Sequence, residues 1–222
     1  MTTIREDDFV QSIADALQFI SYYHPDDFIQ ALSSAWEKEQ SPAARDAIAQ
    51  ILVNSRMCAE GHRPICQDTG MVVVFVDVGM DVRWDSSMSL EQMVNEGVRR
   101  AYMRPDNLLR ASMVSDPLGA RRNTGDNTPA IIHTRLVPGD RVAVKLAAKG
   151  GGSENKARFT VLNPSASLVD WVLDVMPTLG AGWCPPGMLG IGVGGSAEKA
   201  MLLAKESLIE HIDIQDLMAR GP

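Results

Sequence analysis

The sequence predicts an α/β chain of the α+β kind: a helical N-terminal region packed on a mixed β-sheet that includes an antiparallel hairpin. Three observations carry this. Apolar residues recur at helical spacing from Phe9 to Leu52. The texture then changes at Arg63, and a Val- and Phe-rich run, Met71 to Val78, lies between Gly70 and Gly79 like a buried strand. Two alternating segments, Ala130 to Val137 and Arg141 to Ala148, flank Pro138-Gly139, which reads as a hairpin and argues against a purely parallel sheet.

Each element follows in order. Phe9, Val10, Ile13, Leu17 and Ile20 define a first helix, and Phe28, Ile29, Leu32 and Trp36 a second after Pro25. Ser41-Pro42 starts a third, since Ser can cap and Pro is pre-set for a first turn; Ile48, Ile51, Leu52 and Ser55 continue it and Gly61 stops it. Ser89 to Tyr102 is helical, with Gln92 placed to complete a capping box. A long loop rich in Asn, Asp, Gly and Pro runs from Arg104 to Pro129; such loops are functional or mobile. Beyond the hairpin, Phe159 to Leu162 and Met188 to Val193 read as strands, and Leu168 to Met176 and Ala197 to Ile209 as helices. One domain over 1–222 is expected, helical over 1–62 and mixed over 63–222.

The chain has 222 residues, 45% hydrophobic and 22% charged, with a net charge of −7. That balance supports a buried core. An acidic chain is poorly suited to nucleic acid or an anionic membrane, which need basic patches. No signal peptide is visible, and the longest apolar run, Met71 to Val76, is too short to span a bilayer, so a soluble cytoplasmic protein is expected.

The three cysteines, Cys58, Cys66 and Cys184, are too few and too scattered for a disulfide framework. In a reducing compartment they are buried, catalytic or metal-bound. Zinc is disfavoured, because structural zinc sites use closely paired ligands.

Four segments look chemical. Arg63-Pro-Ile-Cys-Gln-Asp-Thr-Gly70 packs Cys66, Gln67, Asp68 and Thr69 together without apolar filler, where a turn alone would need little beyond the glycine. Lys149-Gly-Gly-Gly-Ser-Glu-Asn-Lys156 could cradle an anion on bare N–H groups, although the ending of a P-loop is absent. Gly182-Trp-Cys-Pro-Pro-Gly187 presents Cys184 before two rigid prolines, a setting common to iron–sulfur cysteines. Gly190-Ile-Gly-Val-Gly-Gly195 has the spacing of a dinucleotide fingerprint, but no second strand with an acidic end follows; close helix–strand packing is the better use of these glycines. The long loop adds Leu109-Arg-Ala-Ser112 and Arg121-Arg-Asn-Thr-Gly-Asp-Asn-Thr-Pro-Ala130, and arginine is the natural fork for a carboxylate.

In this order the motifs resemble the N-terminal, or alpha, region of the class I fumarase and L-tartrate dehydratase family. The resemblance covers essentially the whole chain. It implies a hydro-lyase with a [4Fe–4S] cluster on three cysteines, of which Cys66 and Cys184 match two and the third has no match here. It also implies substrate contacts from Gln67, Asp68, Arg110 and the Gly152 backbone, with Asp68 a candidate in proton transfer. The implied partners are a small dicarboxylic acid, a C-terminal domain or β subunit that completes the site, and a second copy in a homodimer. The Gly-Gly-Gly-Ser-Glu-Asn-Lys loop resembles the fumarase version of that motif, which implies fumarate rather than tartrate as substrate. A non-catalytic anion-binding or assembly module is the alternative from another class.

Overall fold

The computed structural model describes residues 2–184, 186–211 and 213–220. Pro185, the first proline of the Cys-Pro-Pro motif, lies outside them, as do Gly221 and Pro222. The chain forms two compact units, Met1–Ala148 with His211–Pro222, and Lys149–Glu210.

The first unit bears out the α+β class. After a short strand β1 (Thr2–Arg5) come α1 (Glu6–Tyr22), α2 (Asp26–Lys38) and α3 (Pro42–Gly61). Glu6, Asp7 and Asp8 occupy the first turn of α1, where carboxylates oppose the helix dipole. Ser41 caps α3 by accepting from the Ala44 N–H at 3.5 Å, with Pro42 at the first turn as expected. That helix ends at His62, whose left-handed φ of 46° turns the chain toward Arg63.

Strand β2 (Met71–Gly79) is followed by β3 (Val82–Asp85) and α4 (Leu90–Tyr102). The capping box of α4 is complete: Gln92 N–H donates to Ser89 Oγ at 3.2 Å, and Ser89 N–H to Gln92 Oε1 at 2.8 Å. The long loop contains a small antiparallel pair, β4 (Val114–Ser115) and β5 (Arg122–Asn123). Strands β6 (Ile131–Val137) and β7 (Val142–Lys149) follow it.

The central sheet has the order β6-β2-β7, with β2 and β6 parallel and in register from Val73↔Ile131 to Gly79↔Val137. This corrects the hairpin. The chain does turn at Pro138-Gly139, but the two flanking strands do not pair, because β2 lies between them. The turn crosses the end of β2 instead: Gly79, Met80 and Asp81 N–H groups donate to the carbonyls of Arg141, Val137 and Gly139. A Cβ on Gly79 would stand 2.4 Å from the Gly139 carbonyl oxygen, so only glycine admits the crossing. The physical reason is burial. Val72, Val74 and Val76 of β2 pack in the core while Val73 and Phe75 are also buried, and a strand apolar on both faces belongs at the centre.

The core joins Phe9, Val10, Ile13, Ala14 and Leu17 of α1 to Met93, Val94, Val98, Ala101 and Tyr102 of α4 and to one face of β2. Strands β1 and β3 pair in parallel beside it, with Phe9 edge-on to Trp84 at 5.2 Å. Four-residue strands carry too little pattern to be read from sequence.

Glu96 on α4 accepts from Arg99 at 2.7 Å and from Arg100 at 2.9 Å. The Arg99 hydrogen bond, working against burial, pulls its carboxyl from the usual 4.5 to about 2. A folded pKa below the unfolded one adds stability above pH 4.5 that is lost as pH falls through about 2. Glu96→Gln is therefore expected to cost about 1 kcal/mol at neutral pH. In urea denaturation the variant and wild type should converge near the bottom of that window.

The second unit contains α5 (Gly151–Glu154), α6 (Leu168–Val175), 3-10 turns at Met176–Leu179 and Ala181–Trp183, and α7 (Ala197–Ser207). A final helix, α8 (Ile214–Arg220), belongs to the first unit. The helices expected here are present, but the strands expected at Phe159 to Leu162 and Met188 to Val193 do not form. A Cβ on Gly190 or Gly192 would lie 2.1 Å from the Ala204 carbonyl oxygen or 1.9 Å from that of Ala200. These glycines therefore press the segment onto α7, leaving it no strand to pair with. They pack closely on a helix as expected, but from a loop rather than from a strand.

Candidate functional site

In the first unit, residues 63–70 run from the end of α3 into β2. Cys66 and Gln67 are exposed, Asp68 and Thr69 half-buried, and Gly70 buried. Hydrogen bonds fold the segment on itself: Asp68 N–H donates to Cys66 Sγ at 3.4 Å, Cys66 Sγ–H to Gln67 Oε1 at 3.4 Å, and Gly70 N–H to Asp68 Oδ1 at 3.1 Å. Gly70 has φ 77°, a backbone that side chains rarely tolerate.

This segment is joined to the arginine-bearing loop. Thr69 Oγ1 donates to the carbonyl of Arg110. Asn127, fully buried, accepts from Ser112 N–H at 2.7 Å and Met113 N–H at 3.1 Å and donates to the Gly70 carbonyl at 2.9 Å. Tyr102, from the end of α4, donates its hydroxyl to the Thr69 carbonyl at 2.7 Å and shares it with that of Gly70 at 3.3 Å. Burial, only partly offset by these bonds, pushes the Tyr102 phenol up to about 12, so it stays a neutral donor. Arg110 itself is exposed. Arg121 donates to the Pro117 carbonyl at 2.9 Å, and Arg122 is part of β5, so neither repeats the placing of Arg110.

Beside Asn127, burial opposes ionisation of Asp126. Hydrogen bonds from the Thr128 N–H and hydroxyl and from Thr124 outweigh it and hold the carboxyl below the usual range. Asp126 is thus an ionised turn-former, not a proton donor.

In the second unit, the triple-glycine segment is a helical turn rather than an open cradle. Gly150 caps it, the Glu154 N–H returns to the Gly150 carbonyl, and Lys149 Nζ donates to Ser153 Oγ at 2.5 Å. Glu154 pairs with Lys205 and lies 3.9 Å from Lys149. A Cβ on Gly152 would stand 2.9 Å from the Gly182 carbonyl oxygen, and one on Gly182 would stand 3.0 Å from Lys156 Cε. Gly152, Lys156 and the Cys184 loop therefore meet within this unit. Cys184 is exposed, with a left-handed φ of 63°, and its N–H closes the Ala181–Trp183 turn.

The structure thus groups Cys66, Gln67, Asp68 and Arg110 in one unit, and Gly152 and Cys184 in the other. Cys58 differs from both other cysteines. It is 7% exposed on α3, 3.7 Å from both Asn54 Oδ1 and the Pro64 carbonyl, as a packing residue should be. For an iron–sulfur group the two exposed thiols fit in kind. They do not fit in number: among the described residues no three His, Cys, Asp or Glu side chains converge on a possible metal position. Sequence reasoning missed the roles of Thr69, Tyr102 and Asn127. Their polar bonds run to backbone carbonyls and N–H groups, which no residue pattern displays.

In the first unit an exposed thiol, a carboxamide and a carboxylate thus share one segment, which is bonded to the loop that carries Arg110. A family profile described as Fumarate hydratase (Fumerase) matches residues 10–220. The "Putative L(+)-tartrate dehydratase subunit alpha" of Methanocaldococcus jannaschii is 31% identical over 211 residues, covering 90% of this chain and 72% of that protein. The "L(+)-tartrate dehydratase subunit alpha" of Escherichia coli K12 is 27% identical over 203 residues, covering 90% and 66%. The chain thus spans about two thirds of these relatives. It belongs to the fumarate hydratase (Fumerase) family. Among the described residues, no helix is long and apolar enough to cross a membrane.

Proposed function

We propose that this chain is the α part of a cytoplasmic hydro-lyase that interconverts fumarate and L-malate. The observation that carries the reading is the bond from Thr69 to the Arg110 carbonyl, which ties the Cys66-Gln67-Asp68 segment to the arginine loop. Arg110 supplies the charge and fork that fix a substrate carboxylate, and positioning of this kind accounts for much of a barrier. Gln67 orients the substrate, and Asp68 takes the proton next to the carboxylate. Gly152 offers a backbone contact. Cys66 and Cys184 give two of three thiolates for a [4Fe–4S] cluster, with the third from the part that completes the enzyme, a C-terminal domain or a β subunit. The chemistry such a cluster supplies is Lewis acidity toward the substrate's hydroxyl oxygen. Alone, the chain is inactive; completed, it acts as a homodimer.

L-tartrate is the second candidate substrate, favoured by the names of the relatives above. The test is anaerobic reconstitution with iron and sulfide, with and without the completing part, assayed on fumarate, L-malate and L(+)-tartrate. A completed enzyme with neither cluster absorbance nor activity on any of the three would sink the proposal, and the preferred acid decides between the two substrates. Cys66→Ser and Cys184→Ser are each expected to abolish stable iron retention, whereas Cys58→Ser should keep it.

A further inference from the structure

The bonds around Gly70 converge on a fully buried side chain. Asn127 is 0% exposed and holds a left-handed φ of 64°, which Asn tolerates better than most residues. Its amide is used at both ends. The oxygen gathers the N–H groups of Ser112 and Met113, two and three residues past Arg110, and the nitrogen grips the Gly70 carbonyl, two residues past Asp68. Tyr102 grips the same stretch from α4 through the carbonyls of Thr69 and Gly70. Both side chains are anchored in the buried frame, whereas Cys66, Gln67 and Arg110 are exposed.

We propose that Asn127, assisted by Tyr102, is a positioning residue that sets the Cys66–Asp68 segment against the Arg110–Met113 segment. Asn127 touches neither substrate nor metal; it acts through Gly70 on one side and Ser112 on the other. The inference rests on the functional reading above for its consequence in turnover, but its geometric part can be judged without activity.

Asn127→Asp keeps an acceptor for Ser112 and Met113 and suits the same backbone, but loses the donor to Gly70. Tyr102→Phe deletes one hydroxyl and is the second variant should the first fold poorly. The readout is amide exchange by NMR on the purified chain. The reporters are the N–H groups of Asp68 and Gly70, whose own acceptors are Cys66 Sγ and Asp68 Oδ1. Each variant is expected to speed their exchange about tenfold, the scale of one buried hydrogen bond, while the β2 amides stay protected. Unchanged exchange at Asp68 and Gly70, or an equal rise throughout β2, overturns the proposal.

In the completed enzyme, Asn127→Asp and Arg110→Lys should then be coupled. Their joint effect on kcat/KM should fall short of the product of the single effects by about tenfold. Simple multiplication of the two effects would show that Asn127 does not set the place of Arg110. A wild-type enzyme that acts on none of the three acids defeats the functional reading instead and leaves the exchange result to judge this one.

Discussion

Asp68→Asn is expected to lower kcat of the completed enzyme by about 10²–10⁴-fold, the range contributed by a positioned acid or base. The substitution is chosen to spare the loop. Asp68 Oδ1 accepts from the Gly70 N–H at 3.1 Å, and a carboxamide oxygen can accept the same bond. The Asp68 N–H that reaches Cys66 Sγ is backbone and also survives. What is lost is the ability to take up a proton. KM should therefore change far less than kcat, because Arg110 and Gln67 are untouched. The contrasting variant is Arg110→Lys, which keeps the charge but removes the bidentate fork, and should raise KM most. A variant at Asp68 that retains wild-type kcat would remove this side chain from proton transfer, whatever the fate of the cluster.

Much of this site was legible from sequence because its parts are local. Cys66, Gln67, Asp68, Thr69 and Gly70 are contiguous, and the glycine before a Val-rich strand is a readable boundary. The main helices were legible for a similar reason: Ser41-Pro42 and the Ser89–Gln92 box are start signals written within four residues. What failed was non-local. Nothing in the alternation of Ala130 to Val137 and Arg141 to Ala148 says that a strand some fifty residues earlier inserts between them. Only the unbroken burial of β2 hints at it, and the Gly79 crossing becomes intelligible once the sheet order is known. The expected strand at Met188 to Val193 failed because its glycines serve a helix rather than a ladder. The triple-glycine loop was read as an open cradle because a run of glycines suggests freedom. A four-residue helical turn and the Glu154–Lys205 ion pair remove it.

A helix-interior glycine shows how such non-local constraints set stability. Gly97 lies mid-way along α4, where propensity alone favours alanine by roughly 0.5–1 kcal/mol. Against α1 the balance reverses. A Cβ at Gly97 would lie 2.6 Å from Ile13 Cβ, 2.7 Å from Ile13 Cγ2 and 2.9 Å from the Val10 carbonyl oxygen. Two of these atoms belong to or adjoin the α1 backbone, so a rotamer change cannot clear them; the helices must separate. Val10 and Ile13 are 0% and 2% exposed, and Val94 and Val98 flank Gly97 at 0%, so separation opens the centre of the core. Overpacking of this kind costs about 1–3 kcal/mol. Gly97→Ala is thus expected to destabilise despite its better propensity, and Gly97→Leu to reach about 3 kcal/mol, the top of that range. In urea denaturation the Leu variant should show a lower midpoint at an unchanged slope, since the same surface is exposed on unfolding. A Gly97→Ala protein more stable than wild type would mean that α1 and α4 do not approach as closely as the structure places them. The close approach of α1 would then no longer fix α4, whose last residue, Tyr102, holds the Thr69 and Gly70 carbonyls.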